Sequence, residues 1–142
     1  MIIVDANLLI HAVNEDARLN HKAKQWLESA LSGSEAVGFS WVVLLAFLRL
    51  TTRASLFRRP LPIEASLDVV ASWLDQAPAT IVHPGPRHLS ILRELLIDLG
   101  TGGNLTSDAH LAALAIEHGA ILYSSDADFS RFSGLKWRNP LS

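Results

Sequence analysis

The sequence predicts an α/β fold, a three-layer α/β/α sandwich built on a central parallel sheet, and three observations carry that prediction. Short β-branched runs alternate with longer stretches of helical apolar spacing along the whole chain. The first run, Ile2-Ile3-Val4, is apolar with no polar alternation, the mark of a strand covered on both faces. Carboxylates also stand where predicted strands end, Asp5 directly after the first and Asp126 shortly after Ile121 to Tyr123.

After the strand Ile2 to Val4, a helix covers roughly Ala6 to Val13. A second helix runs from Leu19 to Leu31, with Ala23, Trp26, Leu27, Ala30 and Leu31 at helical spacing and Gly33 just past its end. Ala36 to Phe39 is a second strand, and Ser40 caps an apolar helix from Trp41 to about Arg53. Arg58-Arg59-Pro60-Leu61-Pro62 is a loop. Ile63 to Leu74 is helical, with Ile63, Leu67, Val70 and Leu74 on one face. Thr80 to Val82 is a third strand, and past His83-Pro84-Gly85-Pro86 an amphipathic helix reaches about Leu99. The glycine-bearing loop Gly100 to Asn104 lacks the lysine of a phosphate-binding loop and reads as a turn. A helix from Leu105 to His118 ends at Gly119, Ala120 to Tyr123 is a fourth strand, and Leu135 to Trp137 a fifth. Trp26 and Trp73 read as core or groove residues.

Composition bounds the function. At 142 residues with 49% hydrophobic and 18% charged, the chain is expected to form one globular domain, residues 1–142. No apolar run approaches the ~18 residues of a membrane span, and no basic region precedes Ile2, so a cytoplasmic protein with no membrane partner is expected. The absence of cysteine removes disulfides, thiolate metal sites and cysteine nucleophiles together. A net charge of -2 attracts no polyanion as a whole, so nucleic acid would need a local basic patch.

The carboxylates carry the chemistry. In open α/β sheets ligands bind beyond the carboxyl ends of the strands. Asp5 and Asp126 occupy that edge, and Asp108 opens a helix within Thr106-Ser107-Asp108-Ala109-His110. Each has a plainer role: Asp5 and Asp126 as helix caps, Asp108 as an acid favoured in a first helical turn. Together they form a like-charged cluster in which each group raises the others' pKa, and an oxygen-seeking divalent cation relieves the repulsion. The six histidines show no ligand spacing; His110 and His118, for example, are eight apart.

Four stretches then supply a resemblance. Ile2-Ile3-Val4-Asp5-Ala6-Asn7, Trp41 to Thr52, Ser107-Asp108-Ala109-His110-Leu111-Ala112-Ala113-Leu114-Ala115 and Ser125-Asp126-Ala127-Asp128-Phe129, in that order, resemble the PIN-domain family. More narrowly they are similar to VapC ribonuclease toxins of bacterial type II toxin–antitoxin systems, as is the terminal Asn139-Pro140-Leu141. The resemblance implies cleavage of RNA with Mg²⁺ (Mn²⁺ substituting), leaving a 5′-phosphate and a 3′-hydroxyl. It also implies neutralisation by a cognate VapB-like antitoxin, and a homodimer. Carried over residue by residue, Asp5, Asp108 and Asp126 become the catalytic and metal-holding acids, with Asp128 beside them. One position departs: most of the family has a glutamate three residues before the helix arginine, whereas Ala46 precedes Arg49 here. That favours a single metal over a pair.

The remaining candidates support these acids. Asn7 and Arg49 are placed to touch a carboxylate or the scissile phosphate. Thr106 or Ser107 caps the helix and aims Asp108, and Ser125 does the same for Asp126. Arg53, Arg58 and Arg59 form the densest basic cluster and are candidate RNA contacts, with Phe57 beside them to stack a base. The helices from Trp41 to Leu50 and from Ile63 to Trp73 pair into a clip for an antitoxin segment. Two other readings compete. An aspartyl-phosphate phosphatase needs Asp-x-Asp where Asn7 stands, and a PIN-like RNA- or protein-binding module with weak or lost catalysis is motivated by Ala46.

Overall fold

A computed structural model describes residues 1–54 and 57–142. Five strands, β1 (Ile2–Val4), β2 (Val37–Phe39), β3 (Ala79–Ile81), β4 (Ile121–Tyr123) and β5 (Trp137–Arg138), form one sheet in the order β3-β2-β1-β4-β5, every pair parallel. Six helices join them: α1 (Ala6–Val13), α2 (Asn20–Leu31), α3 (Trp41–Thr51), α4 (Ile63–Leu74), α5 (His88–Leu99) and α6 (Thr106–Glu117). The α/β/α sandwich is therefore present. No helix among the described residues is long and apolar enough to cross a membrane.

The chain direction decides the layers. Strands β1 to β3 step one way across the sheet and β4 then returns to the far side of β1. Right-handed crossovers put α1 to α4 on one face and α5 and α6 on the other. The packing agrees: α1 lies against α2 and α3, α3 against α4, and α5 against α6. Central β1 is covered on both sides, which is why Ile2, Ile3 and Val4 are all buried and why its sequence shows no alternation. Beside it, a Cβ on Gly38 would meet Val82 Cγ1 at 2.9 Å and Ile3 Cγ1 at 3.1 Å, so the strand passes there only as glycine.

Local chemistry sets the helix ends. Ser40 caps α3 as expected, its hydroxyl accepting from the Val43 amide at 3.4 Å. The Asn20 amide group closes α1 by donating to the carbonyls of His11 and Ala12 at 2.8 and 3.1 Å. Gly100, at φ 74°, ends α5 in the left-handed conformation. Helix α3 stops at Thr51, before Arg53, and its end is tied to α4: the Thr51 hydroxyl donates to the Phe47 carbonyl and shares a hydrogen bond with Ser66 Oγ, both at 2.8 Å. Phe47 meets Trp73 edge-on at 4.9 Å, and Trp73 stacks on Phe39 at 6.3 Å, so three aromatics clamp α3 and α4 to β2.

Three expectations shift. The third strand is Ala79–Ile81 rather than Thr80 to Val82, because it pairs residue for residue with Val37–Phe39. The fifth is Trp137–Arg138 rather than Leu135 to Trp137, since only these two residues pair with Leu122 and Tyr123. Phe57 is only 5% exposed and belongs to the buried apolar set, so it offers no surface for stacking a base.

Candidate active site

The site forms where β1 and β4 end side by side. The register pairs Val4 with Tyr123, and the Asp5 amide extends the ladder by donating to the Tyr123 carbonyl at 3.0 Å. Asp5 then caps α1: its Oδ1 accepts from the Ala6 amide at 2.7 Å. Its Oδ2 accepts from Ser124 Oγ at 2.7 Å and from Asn7 Nδ2 at 3.1 Å. Capping and site assembly are thus performed by one carboxylate.

Ser124, fully buried, is the hub of this network. Besides donating to Asp5, its Oγ accepts from Asn7 Nδ2 and from the Asp126 amide, both at 3.0 Å. Asn7 Oδ1 in turn accepts from the Ser125 amide at 3.1 Å. Asp126 caps a short 3₁₀ turn over Ala127–Arg131, its Oδ1 accepting from the Asp128 amide at 2.9 Å. Asp108 approaches from the first turn of α6. Together with Asp5, Ala6, Val42, Val43, Ala46, Ser107 and Leu111 it lines a cavity of about 110 Å³. One wall is acidic and the other, largely from α3, is apolar. Ala46 shares this lining with Asp5 and Asp108.

The charges repel as the sequence implied. Burial, then the negative charges of Asp5, Asp126 and Asp128, push the Asp108 carboxyl up to about 6. Burial also raises Asp5, with the Asp126 charge adding to it and the bonds from Ser124, Ala6 and Asn7 opposing it. A carboxyl raised in the folded state keeps its proton there over a pH range in which the unfolded chain has lost it. Stability due to Asp108 is therefore fully present below pH 4 and is lost as pH rises through about 6. After discounting for solvent screening, about 1 kcal/mol is at stake. Calorimetry in EDTA should show the melting temperature falling by roughly 2–4 °C from pH 5 to pH 7.5. Asp108→Asn should flatten that slope, and an unchanged slope in the variant would count against the coupling.

The other predicted residues divide. Asn7 is in the network, and Asp128 contributes its charge and its amide. Ser125 contributes only its backbone; the hydroxyl assigned to it belongs to Ser124, whose position one residue beyond Tyr123 sets it beside Asp5. That signal needed the β1–β4 register, which the sequence alone does not display. Thr106 and Ser107 do not cap α6: Leu105 holds the cap position, no side chain closes it, and a 3₁₀ turn at Gly103–Leu105 feeds the helix instead. Arg49 is exposed on the last turn of α3. Arg53, Arg58 and Arg59 are exposed as well. Arg58 and Arg59, however, border a cavity of about 340 Å³ with Val13, Asn14, Glu15 and Asp16, at the carboxyl end of α1. That end lies about 12 Å along the helix from Asp5. None of these arginines lines the acidic cavity.

The donor set fits a hard cation. The cavity offers carboxylate and hydroxyl oxygens, and neither an imidazole nor a thiolate lines it. Among the described residues, no three histidine, cysteine or acidic side chains converge closely enough to enclose an ion. An ion here would be held by one or two carboxylates with water in the other positions, which is the habit of Mg²⁺. Ser124→Ala leaves Asp5 without its shortest side-chain partner and Asp126 without its anchor. It should weaken Mn²⁺ binding about 10–100-fold by titration calorimetry, and an unchanged affinity would remove Ser124 from the site.

Known proteins share this architecture. The PIN domain family model matches residues 2–135. Ribonuclease VapC37 of Mycobacterium tuberculosis is 52% identical over 140 residues, covering 99% of this chain and 97% of the relative. Ribonuclease VapC33 of the same species is 41% identical, covering 99% of both. Among solved structures, VapBC2 of Rickettsia felis bound to a promoter DNA fragment superposes with a TM-score of 0.70 at 22% identity over 98% of both chains. M. tuberculosis VapC20, described as a sarcin-ricin loop cleaving toxin, gives 0.70 at 21% identity over 95% of this chain and 96% of that one.

Proposed function

The chain belongs to the PIN-domain family, and on that premise we propose that it is a VapC-type toxin, a Mg²⁺-dependent endoribonuclease held in check by a VapB-like antitoxin. The observation that carries this reading is the acidic cavity itself: Asp5 and Asp108 line it together with apolar residues, and the charge of Asp126 acts on both. Full-length relatives named as ribonucleases supply the substrate class.

Asp5 and Asp108 would hold the ion, with Asp126 holding or orienting water. Mg²⁺ supplies a water of lowered pKa and offsets charge on the phosphate. The chain's own part is positional. Asp5 cannot swing away, because three donors fix its two oxygens. Asn7 ties that carboxylate to the Ser125 amide, so the β1 and β4 ends move together. Val42, Val43 and Ala46 give the cavity an apolar lining beside the acids. Ala46 brings no carboxylate, which supports one ion rather than two.

The antitoxin reading rests on the α3–α4 surface, where Trp41 and Leu45 are 50% and 57% exposed and Ile63 and Leu67 extend the apolar area. For a homodimer the available apolar surface is α5, with Leu89 and Ile97 at 75% and 65% exposure. A cytoplasmic location follows from this assignment.

The deciding experiment is cleavage of total RNA by wild type and Asp108→Asn, purified identically, with Mg²⁺, Mn²⁺ or EDTA. Discrete fragments from wild type with metal alone are expected. Silence from both proteins while the antitoxin still binds would favour a binding module, which the alanine at position 46 also motivates.

A further inference from the structure

We propose that Trp137 is a positioning residue for the metal-holding acids, acting on them through Ser124. The inference rests on the nuclease reading above and adds a component to it. Strand β5 lies outside the residues 2–135 that match the family model. With only two residues, it adds little to the sheet by its ladder.

Its contribution is a clamp. Ser124 is the first residue beyond β4, where strand ends ordinarily fray, yet its backbone is held on both sides. Its amide donates to the Arg138 carbonyl at 3.0 Å, and its carbonyl accepts from the Trp137 indole Nε1 at 3.0 Å. Both partners come from β5. The hydroxyl so fixed is the one that donates to Asp5 Oδ2 and accepts from Asn7 and from the Asp126 amide. A path of short hydrogen bonds thus runs from the indole, through one serine, to two of the three acids. The strand is itself anchored by the carboxyl-terminal residues: Leu141 is buried, its amide donates to Asn139 Oδ1 at 2.9 Å, and its carbonyl accepts from Lys22 Nζ on α2 at 3.0 Å.

The geometry gives the indole a specific task. A site must be held to about 0.5 Å by groups that are themselves locked. Asp5 has its own cap on α1, but Asp126 depends on Ser124 Oγ for its amide, and Asp5 depends on it for its shortest side-chain bond. Releasing the Ser124 carbonyl lets the serine backbone rotate, and its hydroxyl leaves the position that serves both acids. Trp137→Phe keeps an aromatic ring and removes the N–H donor.

Two measurements test this. In a ¹⁵N spectrum of the full chain, the four tryptophan indoles give four resonances. On titration with Mg²⁺, the Trp137 indole should shift and saturate with the ion, while that of Trp73, packed against Phe39 and Phe47, stays put. Calorimetry should show Trp137→Phe binding Mn²⁺ about tenfold more weakly. The variant should keep its melting temperature within a few degrees, and its kcat should fall more than its KM rises. A general structural role would lower the melting temperature and leave Mn²⁺ affinity at room temperature unchanged. If metal binds but the Trp137 indole is silent and the variant's affinity is that of wild type, the positioning role is wrong and the nuclease reading stands. If wild type binds no metal at all, both fall. Should Trp137→Phe fail to fold, the wild-type titration still decides.

Discussion

Asp5→Asn is expected to lower RNA cleavage on the order of 10²–10³-fold while leaving the melting temperature unchanged or slightly raised. The two halves of that result have different causes. Cleavage falls because the amide is a poor ligand for a hard cation and carries no charge to hold one. Stability changes little because two effects oppose: the Ala6 amide keeps its acceptor, whereas the new NH2 group faces the Asn7 and Ser124 donors and forfeits their bonds, a loss that offsets the relief of buried charge. The substitution also removes a carboxylate whose pKa is raised by burial and by the neighbouring Asp126 charge. The native chain therefore carries at Asp5 an electrostatic cost that function requires. Asp5→Ala separates the two contributions: it should lose cleavage equally and also lose about 1 kcal/mol of stability with the cap. An Asp5→Asn protein that cleaves at the wild-type rate would remove this carboxylate from the chemistry.

Phe47→Ala is expected to cost about 3–5 kcal/mol, a large share of the roughly 5–15 kcal/mol that holds a domain of this kind together. Phe47 is fully buried, meets the Trp73 ring edge-on, and sits at the junction of α3, α4 and β2. Removing its ring leaves a hole that the sheet on one side and the Thr51–Ser66 hydrogen bond on the other keep from closing. Urea denaturation should show a lower midpoint with an unchanged slope, and the melting temperature should fall by on the order of 10 °C. A loss below about 1 kcal/mol would mean that α3 settles into the gap. Cleavage by the folded fraction should suffer too, since Ala46, Val43 and Val42 on the same helix form the apolar wall of the cavity.

The fold and the acids were readable in the sequence because both are local patterns. Ile2 to Val4 announces a central strand through its missing alternation, and Asp5 announces a strand end by standing next to it. Asp126 is legible in the same way, shortly past Tyr123, and Asp108 by its place in the opening turn of a helix. The features that escaped depend on register or on distant contacts. Ser124 looks no different from Ser125 until Val4 is known to pair with Tyr123, which decides which hydroxyl faces Asp5. Thr106 and Ser107 look like caps, but the turn at Gly103–Leu105 already occupies the preceding positions. Arg58 and Arg59 stand out as charge, yet nothing local reveals that they border a cavity at the far end of α1. Phe57 reads as a surface aromatic within a basic stretch and is buried all the same. The edge strands moved by a residue or two because such short strands carry too few side chains to declare a boundary.

The hydrogen bond between Ser124 and Asp5 joins residues 119 positions apart, and the bond from Lys22 to Leu141 spans the same distance. This gives the enzyme a built-in delay during its own manufacture. A ribosome that has made the first hundred residues has released Asp5 but neither Ser124 nor Asp126, so the emerging chain has no assembled centre with which to attack the transcript being read. At about 5–20 residues per second, harmlessness lasts at least until Ser124 and Asp126 have been added. A fragment that stops short of residue 124 is expected to be inert for want of a partner strand rather than for want of an inhibitor.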